Sequence, residues 1–297
     1  LTEIFDLNNK TIKHTSDDIF KKEPINMIKA VTLMSQLEFD IDEETQKLIR
    51  ENSSLLKSVS PEKMRDEIFK ILKSNKSYYY INLMDKHLNI LDKIFPEIIP
   101  MKSVGECKYH VVDALTHSIY TLKIAESVIN LDGFFENHIK KEYEKHCLEK
   151  IEKNRTRLDL IKLGALFHDV GKPRSKKVDE TGRVRFKGHE IVGAQIIKDI
   201  ANRFKLTDKE KYILYKYVAL HMWPLVVYKK NDVSGKMLNK MFLDTKDETL
   251  DILLIGYSDI VATRKLLNPH EDMGMFKVHI EYIANNYITR YKGVVSR

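Results

Sequence analysis

An all-α fold, a helical neck and body followed by a second helical bundle, is what this 297-residue sequence predicts. Three observations predict it. Glycine and proline are scarce, at 11 and 7 residues. Apolar residues recur at the three-to-four-residue spacing that lines one face of a helix. Helix-start signals also stand where such runs begin, Ser60-Pro61 most clearly: an N-cap followed by proline at the first helical position.

Taken in order, Ile28, Val31 and Met34 make the first buried stripe. Behind Ser60-Pro61, the residues Met64, Ile68, Ile71 and Leu72 supply a second. A third pattern runs from about Tyr79 to Ile94 and stops at Pro96. The run Tyr78-Tyr79-Tyr80 at its start reads as aromatics entering a core helix, with stacking on bases the alternative. Two prolines and a glycine in 96–107 mark a linker, so residues 1–95 and 108–297 are expected as separate domains. Helical patterns then follow around 113–130, 136–153, 156–168, 189–204, 208–221, 234–243, 247–265 and 276–290. Between Val178 and Phe186 the pattern alternates around Asp179-Glu180-Thr181-Gly182, as in a small hairpin.

Bulk properties narrow the partners. With 43% hydrophobic residues the chain can bury one large core or two modest ones. No apolar stretch approaches the roughly 20 residues that span a bilayer, and nothing at the start reads as a secretory signal. No membrane partner is expected, and the cytoplasm is the expected compartment. Cys107 and Cys147 lack paired spacing and read as free thiols in a reducing environment. A net charge of +7 and a pI near 9.0 favour phosphate-bearing partners, nucleotides or RNA. That charge is unevenly placed: Lys172, Arg174, Lys176, Lys177, Arg183, Arg185 and Lys187 face only Asp179 and Glu180. The chain opens on Leu1 rather than Met, so a fragment or a processed product is expected.

The chemistry is concentrated in Phe167-His168-Asp169-Val170-Gly171-Lys172-Pro173. An adjacent imidazole and carboxylate can both bind a metal, but two ligands do not close a site. His117 upstream, and His189, His221 and Asp259 downstream, can complete it. A divalent ion among Ni, Mn, Fe, Co, Zn and Mg suits such a mixed set. Each member taken singly has an ordinary reading as a surface or hydrogen-bonded core residue. The context differs, however: His168 and Asp169 end the strongly apolar run Leu163-Gly164-Ala165-Leu166-Phe167, a poor place for charge unless something compensates it. Gly171 permits a tight turn, Lys172 can reach a bound phosphate as a point charge, and Gly193 allows a close helix approach. The basic residues 172–187 would then form a phosphate-attracting rim, with Arg174 beside Lys172.

The ordered set resembles the HD metal-dependent phosphohydrolase superfamily, in the branch joined to bacterial tRNA nucleotidyltransferases and poly(A) polymerases. Tyr109 to Ser118, Phe167 to Pro173, Phe186 to Ala194, Leu220 to Pro224 and Ser258 to Thr263 carry the resemblance. It implies that His117, His168, Asp169 and Asp259 hold one metal. A second would be held by His189 and His221, bridged by Asp169. Residues 1–95 look like the helical neck and body of the same enzymes, through Phe20 to Ala30, Leu37 to Thr45, Val59 to Lys63 and Phe95 to Ile98. By position, Glu23, Asn26 and Lys29 are the candidate nucleotide- or RNA-contacting residues. Relatives carry Glu-Asp-x-x-Arg there, and Asn26 lacks the forked guanidinium that reads a base edge at two points.

No Gly-Ser pair followed by Asp-x-Asp precedes the neck, so nucleotidyl transfer is not expected of this chain alone; a headless paralogue and a piece of a longer protein both fit. The resemblance implies metal-assisted hydrolysis of a phosphate ester, with His168, Asp169 and Lys172 as the catalytic set. Substrates would be 2′,3′-cyclic phosphodiesters, 2′-nucleotides or RNA ends. The alternative is an RNA-binding portion of a CCA-adding enzyme or poly(A) polymerase, cradling tRNA, whose metal site is structural or vestigial.

Overall fold

Helical spacing becomes helix where it was expected. The chain is described by a computed structural model at residues 3–107 and 109–292. Helix Asn26–Leu37 buries Ile28, Val31 and Met34. Helix Pro61–Leu72 starts at Ser60, whose side chain accepts from the Lys63 amide, and it buries Met64, Ile68, Ile71 and Leu72. Complete burial of such an aliphatic side chain stabilises by roughly 1.5–3 kcal/mol, so each stripe outweighs the weak intrinsic preference of its helix. One unit runs up to Ile99 and includes Arg203–Lys205; the other takes Pro100–Asn202 and continues from Leu206.

Three departures have local causes. Short strands Phe5–Asp6, Thr11–His14 and Asp40–Ile41 form a three-stranded sheet that two-to-four-residue alternation could not announce. The pattern from Tyr79 to Ile94 breaks into Ser77–Lys86 and Leu91–Ile94, with Asn89 at φ 53 between them. Of the tyrosine run, Tyr80 is buried and Tyr79 exposed. The stretch 96–107 begins with two 3-10 turns, Pro96–Ile98 and Pro100–Ser103, that bury Ile98 and Met101.

The second unit is a helical bundle. Its central helix Thr249–Leu267 packs on Ala114–Asn130, Arg157–Phe167, Asp208–Leu220 and Trp223–Lys230. Helix 136–153 of the sequence reading is shorter: it spans Asn137–Cys147, and Lys150–Glu152 then pairs with Arg155–Thr156 as an antiparallel ribbon. The hairpin forms as expected, with Lys177–Val178 paired to Val184–Arg185.

Polar groups also hold the bundle together. Asp251, fully buried in the central helix, meets His146 and the Tyr217 hydroxyl, and accepts from Arg157 Nη1 at 3.2 Å. Burial alone would raise its pKa, but the charges of His146 and Arg157 hold it below the usual carboxylate value. Burial pushes the Cys147 thiol up to about 12, consistent with an inert core residue, and both cysteines are free. No helix of the described residues is long and apolar enough to cross a membrane.

Candidate metal centre

Five segments deliver the site, each fixed by its own local chemistry. Asp113 caps helix Ala114–Asn130 by accepting from the Thr116 amide at 2.9 Å, which places His117 on the first turn. A capping box between Thr156 and Asp159 starts helix Arg157–Phe167, and His168 and Asp169 follow its last residue. A second capping box, Thr207 with Glu210, starts helix Asp208–Leu220, and His221 stands just beyond its end. His189 opens helix His189–Arg203, and Asp259 projects from the middle of Thr249–Leu267.

These residues converge on two overlapping clusters: His117, His168, Asp169 and Asp259, and then Asp169, His189 and His221. In the first, His117 Nε2 lies 2.8 Å from Asp259 Oδ1 and 3.7 Å from Asp169 Oδ2. His168 Nε2 lies 3.3 Å from Asp169 Oδ2 and 3.4 Å from Asp259 Oδ1. In the second, His189 Nε2 is 3.2 Å from Asp169 Oδ1 and 3.3 Å from His221 Nε2. Ligands bonded at about 2.0–2.1 Å to one ion stand roughly 2.8–3.4 Å apart in tetrahedral or octahedral geometry. Most of these separations fall in that range. Asp169 divides its two oxygens between the clusters, as a bridging carboxylate would.

The protonation pattern also fits a metal. His168, His189 and His221 each direct Nδ1 at the carbonyl three residues back, to Ala165, Phe186 and Val218 at 2.7, 2.9 and 2.7 Å. A carbonyl can only accept, so Nδ1 carries the hydrogen and a neutral ring keeps its Nε2 lone pair for a ligand role. His168 Nε2 is buried and makes no hydrogen bond. Set between carboxylate oxygens of Asp169 and Asp259 at 3.3 and 3.4 Å but without a hydrogen bond to either, this nitrogen is placed to share a cation with them.

Electrostatics point the same way. Burial would raise the Asp169 pKa, yet the charges of His168 and Lys172 hold it well below the usual carboxylate range. Asp259 is held low likewise, against burial, by His168 and His117. Burial would depress His168, but Asp169 and Asp259 lift it to about 10, so a proton on Nε2 takes the place that a bound cation would claim. Burial, with His168 and His189 nearby, pushes His221 down to about 3. The anionic pair thus attracts positive charge strongly, and Lys172 supplies some of it: Nζ stands 3.0 Å from Asp169 Oδ2 and the residue is 6% exposed.

The other sequence candidates lie elsewhere. Arg174 is exposed on the short helix Lys172–Ser175. In the first unit, Glu23 is exposed and Lys29 half-buried, whereas Asn26 is 2% exposed with its Oδ1 making no hydrogen bond. One neighbour escaped the sequence reading. His110 packs edge-on against His117 with ring centres 5.2 Å apart, and burial, followed by the Lys172 charge, lowers its pKa to about 4. Its signal was present in Tyr109-His110-Val111, seven residues before His117.

Known proteins resemble this chain in two stretches. Residues 114–223 fit the model of the HD domain, and residues 38–102 fit that of the probable RNA and SrmB-binding site of polymerase A. The A-adding tRNA nucleotidyltransferase of Deinococcus radiodurans is 24% identical over 255 residues, covering 80% of this chain and 52% of that protein. The CC-adding tRNA nucleotidyltransferase of Thermus thermophilus is 24% identical over 267 residues, covering 87% of this chain and 54% of that protein. The chain therefore spans about half the length of these curated relatives. Among solved structures, a tRNA-processing enzyme complex aligns with a TM-score of 0.53 at 14% identity, over 96% of this chain and 67% of that one. An apo CCA-adding enzyme aligns at 0.51 and 10%, over 98% and 62%. Fold and site match an HD domain over residues 114–223. More particularly, the chain is similar to tRNA nucleotidyltransferases over most of its length and to the polymerase-A RNA-binding segment over 38–102. Asp259, expected from the sequence as a ligand, lies beyond the HD match at 114–223, and the packing of its helix brings it to the site.

Proposed function

We propose that this chain is a divalent-metal-dependent phosphohydrolase of RNA processing, acting on 2′,3′-cyclic nucleotides, nucleoside phosphomonoesters or RNA ends. The observation that supports it best is the division of Asp169 between the two clusters, each completed by imidazoles with Nε2 turned inward. Such a centre fits one or two ions, and its imidazole-rich set favours Mn, Fe, Co, Ni or Zn over Mg. When bound, the ion supplies Lewis acidity to a phosphoryl oxygen and makes hydroxide available near neutral pH.

The protein's own residues do the rest. Carbonyl contacts to Nδ1 hold the rings in orientation, and burial removes competing water from all members except the partly open Asp259, whose side chain is 15% exposed. Lys172 is kept charged, because Asp169 and Asp259 overcome the effect of burial. It would neutralise the charge that builds on the phosphoryl group, with Arg174 and the exposed cations of 176–187 drawing the substrate in. The test is hydrolysis of 2′,3′-cyclic AMP or a chromogenic phosphodiester with added Ni²⁺, Mn²⁺ or Co²⁺. His168→Ala with Asp169→Ala should abolish turnover; a double variant as active as the wild type would falsify the assignment.

A second reading has its own observation, the polymerase-A RNA-binding match over 38–102. In it the chain is the RNA-binding part of a CCA-adding enzyme or poly(A) polymerase, holding tRNA while its metal centre is structural. Salt-sensitive tRNA binding without metal-dependent hydrolysis would favour it.

A further inference from the structure

Beside the centre lies a cavity of about 290 Å³, lined by Lys102, Ser103, Glu106, Lys176, Val184 and Phe186 among others. Its walls are extensions of the elements that carry the ligands. The 102–106 wall is fixed to the helix of His117, because the Ala114 amide donates to Val104 O at 2.7 Å. Gly105, at φ +110, sits so close that a β-carbon there would be 2.7 Å from the Ala114 nitrogen. Lys176 directly follows the short helix of Lys172, and the Phe186 carbonyl holds His189 Nδ1 at 2.9 Å.

Phe186 joins cavity and centre a second time. Its ring centre lies 5.4 Å from Lys172 Nζ, the same ammonium that stands 3.0 Å from Asp169 Oδ2. A ligand with its phosphate at Asp169 and Lys172 therefore has an aromatic surface one group further on. The volume lies at the lower end of small-molecule sites, enough for one base and ribose rather than a length of RNA. Lysines 102 and 176 donate hydrogen bonds, the Glu106 carboxylate accepts from an exocyclic amine, and an aromatic face stacks on any base.

We propose that this cavity is the nucleoside subsite of the centre: it takes the base and ribose of a nucleoside 2′- or 3′-phosphate, stacked on Phe186. The source is a free mononucleotide or the phosphorylated end of an RNA. For the position of the phosphate the proposal rests on the phosphohydrolase reading; the nucleoside contacts can be tested without turnover.

The experiment is equilibrium binding of adenosine 3′-monophosphate to the full chain with Mn²⁺, beside an oligoribonucleotide ending in a 3′-phosphate. Phe186→Leu should weaken the mononucleotide tenfold or more, and Phe186→Trp should restore it. Lys176→Glu, an exposed change that leaves packing intact, should weaken it as well. Equal losses on both probes assign the cavity to either source, and a loss on one alone assigns it to that source. Binding of both probes unaffected by Phe186→Leu and Lys176→Glu overturns the subsite, even if the wild type hydrolyses phosphate esters. Phe186-dependent binding without any hydrolysis keeps the subsite and sinks the phosphohydrolase reading instead.

Discussion

Gly171 and Gly193 meet backbone to backbone: a β-carbon on Gly193 would lie 3.1 Å from the Gly171 amide nitrogen. A β-carbon on Gly171 would collide with the His189 carbonyl and the Gly193 amide, neither of which is a side chain that can swing away. This approach brings the turn of Asp169 up to the helix of His189, so one carboxylate can face both clusters. Gly171→Ala should therefore cost about 1–3 kcal/mol or more, the usual range for overpacking. A thermal melt should show the loss of stability, and elemental analysis should show a lower metal content than the wild type.

Much of this arrangement was legible in the sequence, and the reasons are specific. His168 and Asp169 stood at the end of an apolar run, Gly171 marked a tight turn, and Gly193 marked close helix approach by having no side chain. What remained hidden was either short or non-local. The strands Phe5–Asp6 and Lys150–Glu152 are too brief to show alternation, and Asn26 gives no sign in its neighbours that it turns inward. The helix Trp223–Lys230 follows directly on His221 with a proline in its first turn, and at eight residues it is too short to show a stripe of its own. Asp259 beside His117 was expected from the resemblance and not from any local pattern, because it depends on two helices 142 residues apart packing together.

Metal content should separate the two clusters. Asp169 serves both, whereas His221 serves one. Asp169→Ala is expected to lose both ions, and His221→Ala to keep the ion of the His117, His168 and Asp259 cluster. Inductively coupled plasma measurement on protein reloaded with Mn²⁺ or Ni²⁺ gives the stoichiometry directly. Equal metal in His221→Ala and wild type would show that the second cluster is not occupied.

Acid stability should depend on Glu210. Its carboxylate completes the capping box that leads to His221 and takes Arg155 at two points, both 2.7 Å. Burial would raise its pKa, but the Arg155 and Thr207 contacts bring it below 4.5. A carboxylate depressed on folding stabilises above its unfolded pKa, and that contribution is lost as pH falls through the folded value. Glu210→Gln should cost about 1.5–3 kcal/mol at neutral pH, the range for hydrogen bonds to charged groups. Denaturant melts below about pH 4.5 should show the gap between variant and wild type narrowing. A gap that stays constant with pH would mean the carboxylate charge contributes nothing there.

Lys172 tests whether the centre stabilises a phosphoryl transition state or only holds a metal. Its ammonium is buried against Asp169, and its place between that carboxylate and Phe186 suits a group that meets the phosphate. Lys172→Ala should lower kcat on a 2′,3′-cyclic nucleotide by about 10²–10³-fold, as loss of one preorganised electrostatic donor does. Metal content should not fall, because Lys172 offers no ligand to a cation. Lys172→Arg keeps the charge but spreads it over a planar fork that does not fit a one-point contact, so it should recover part of the rate. A fall in metal content together with kcat would place the lysine in the support of Asp169 instead. An unchanged kcat would remove it from the chemistry altogether.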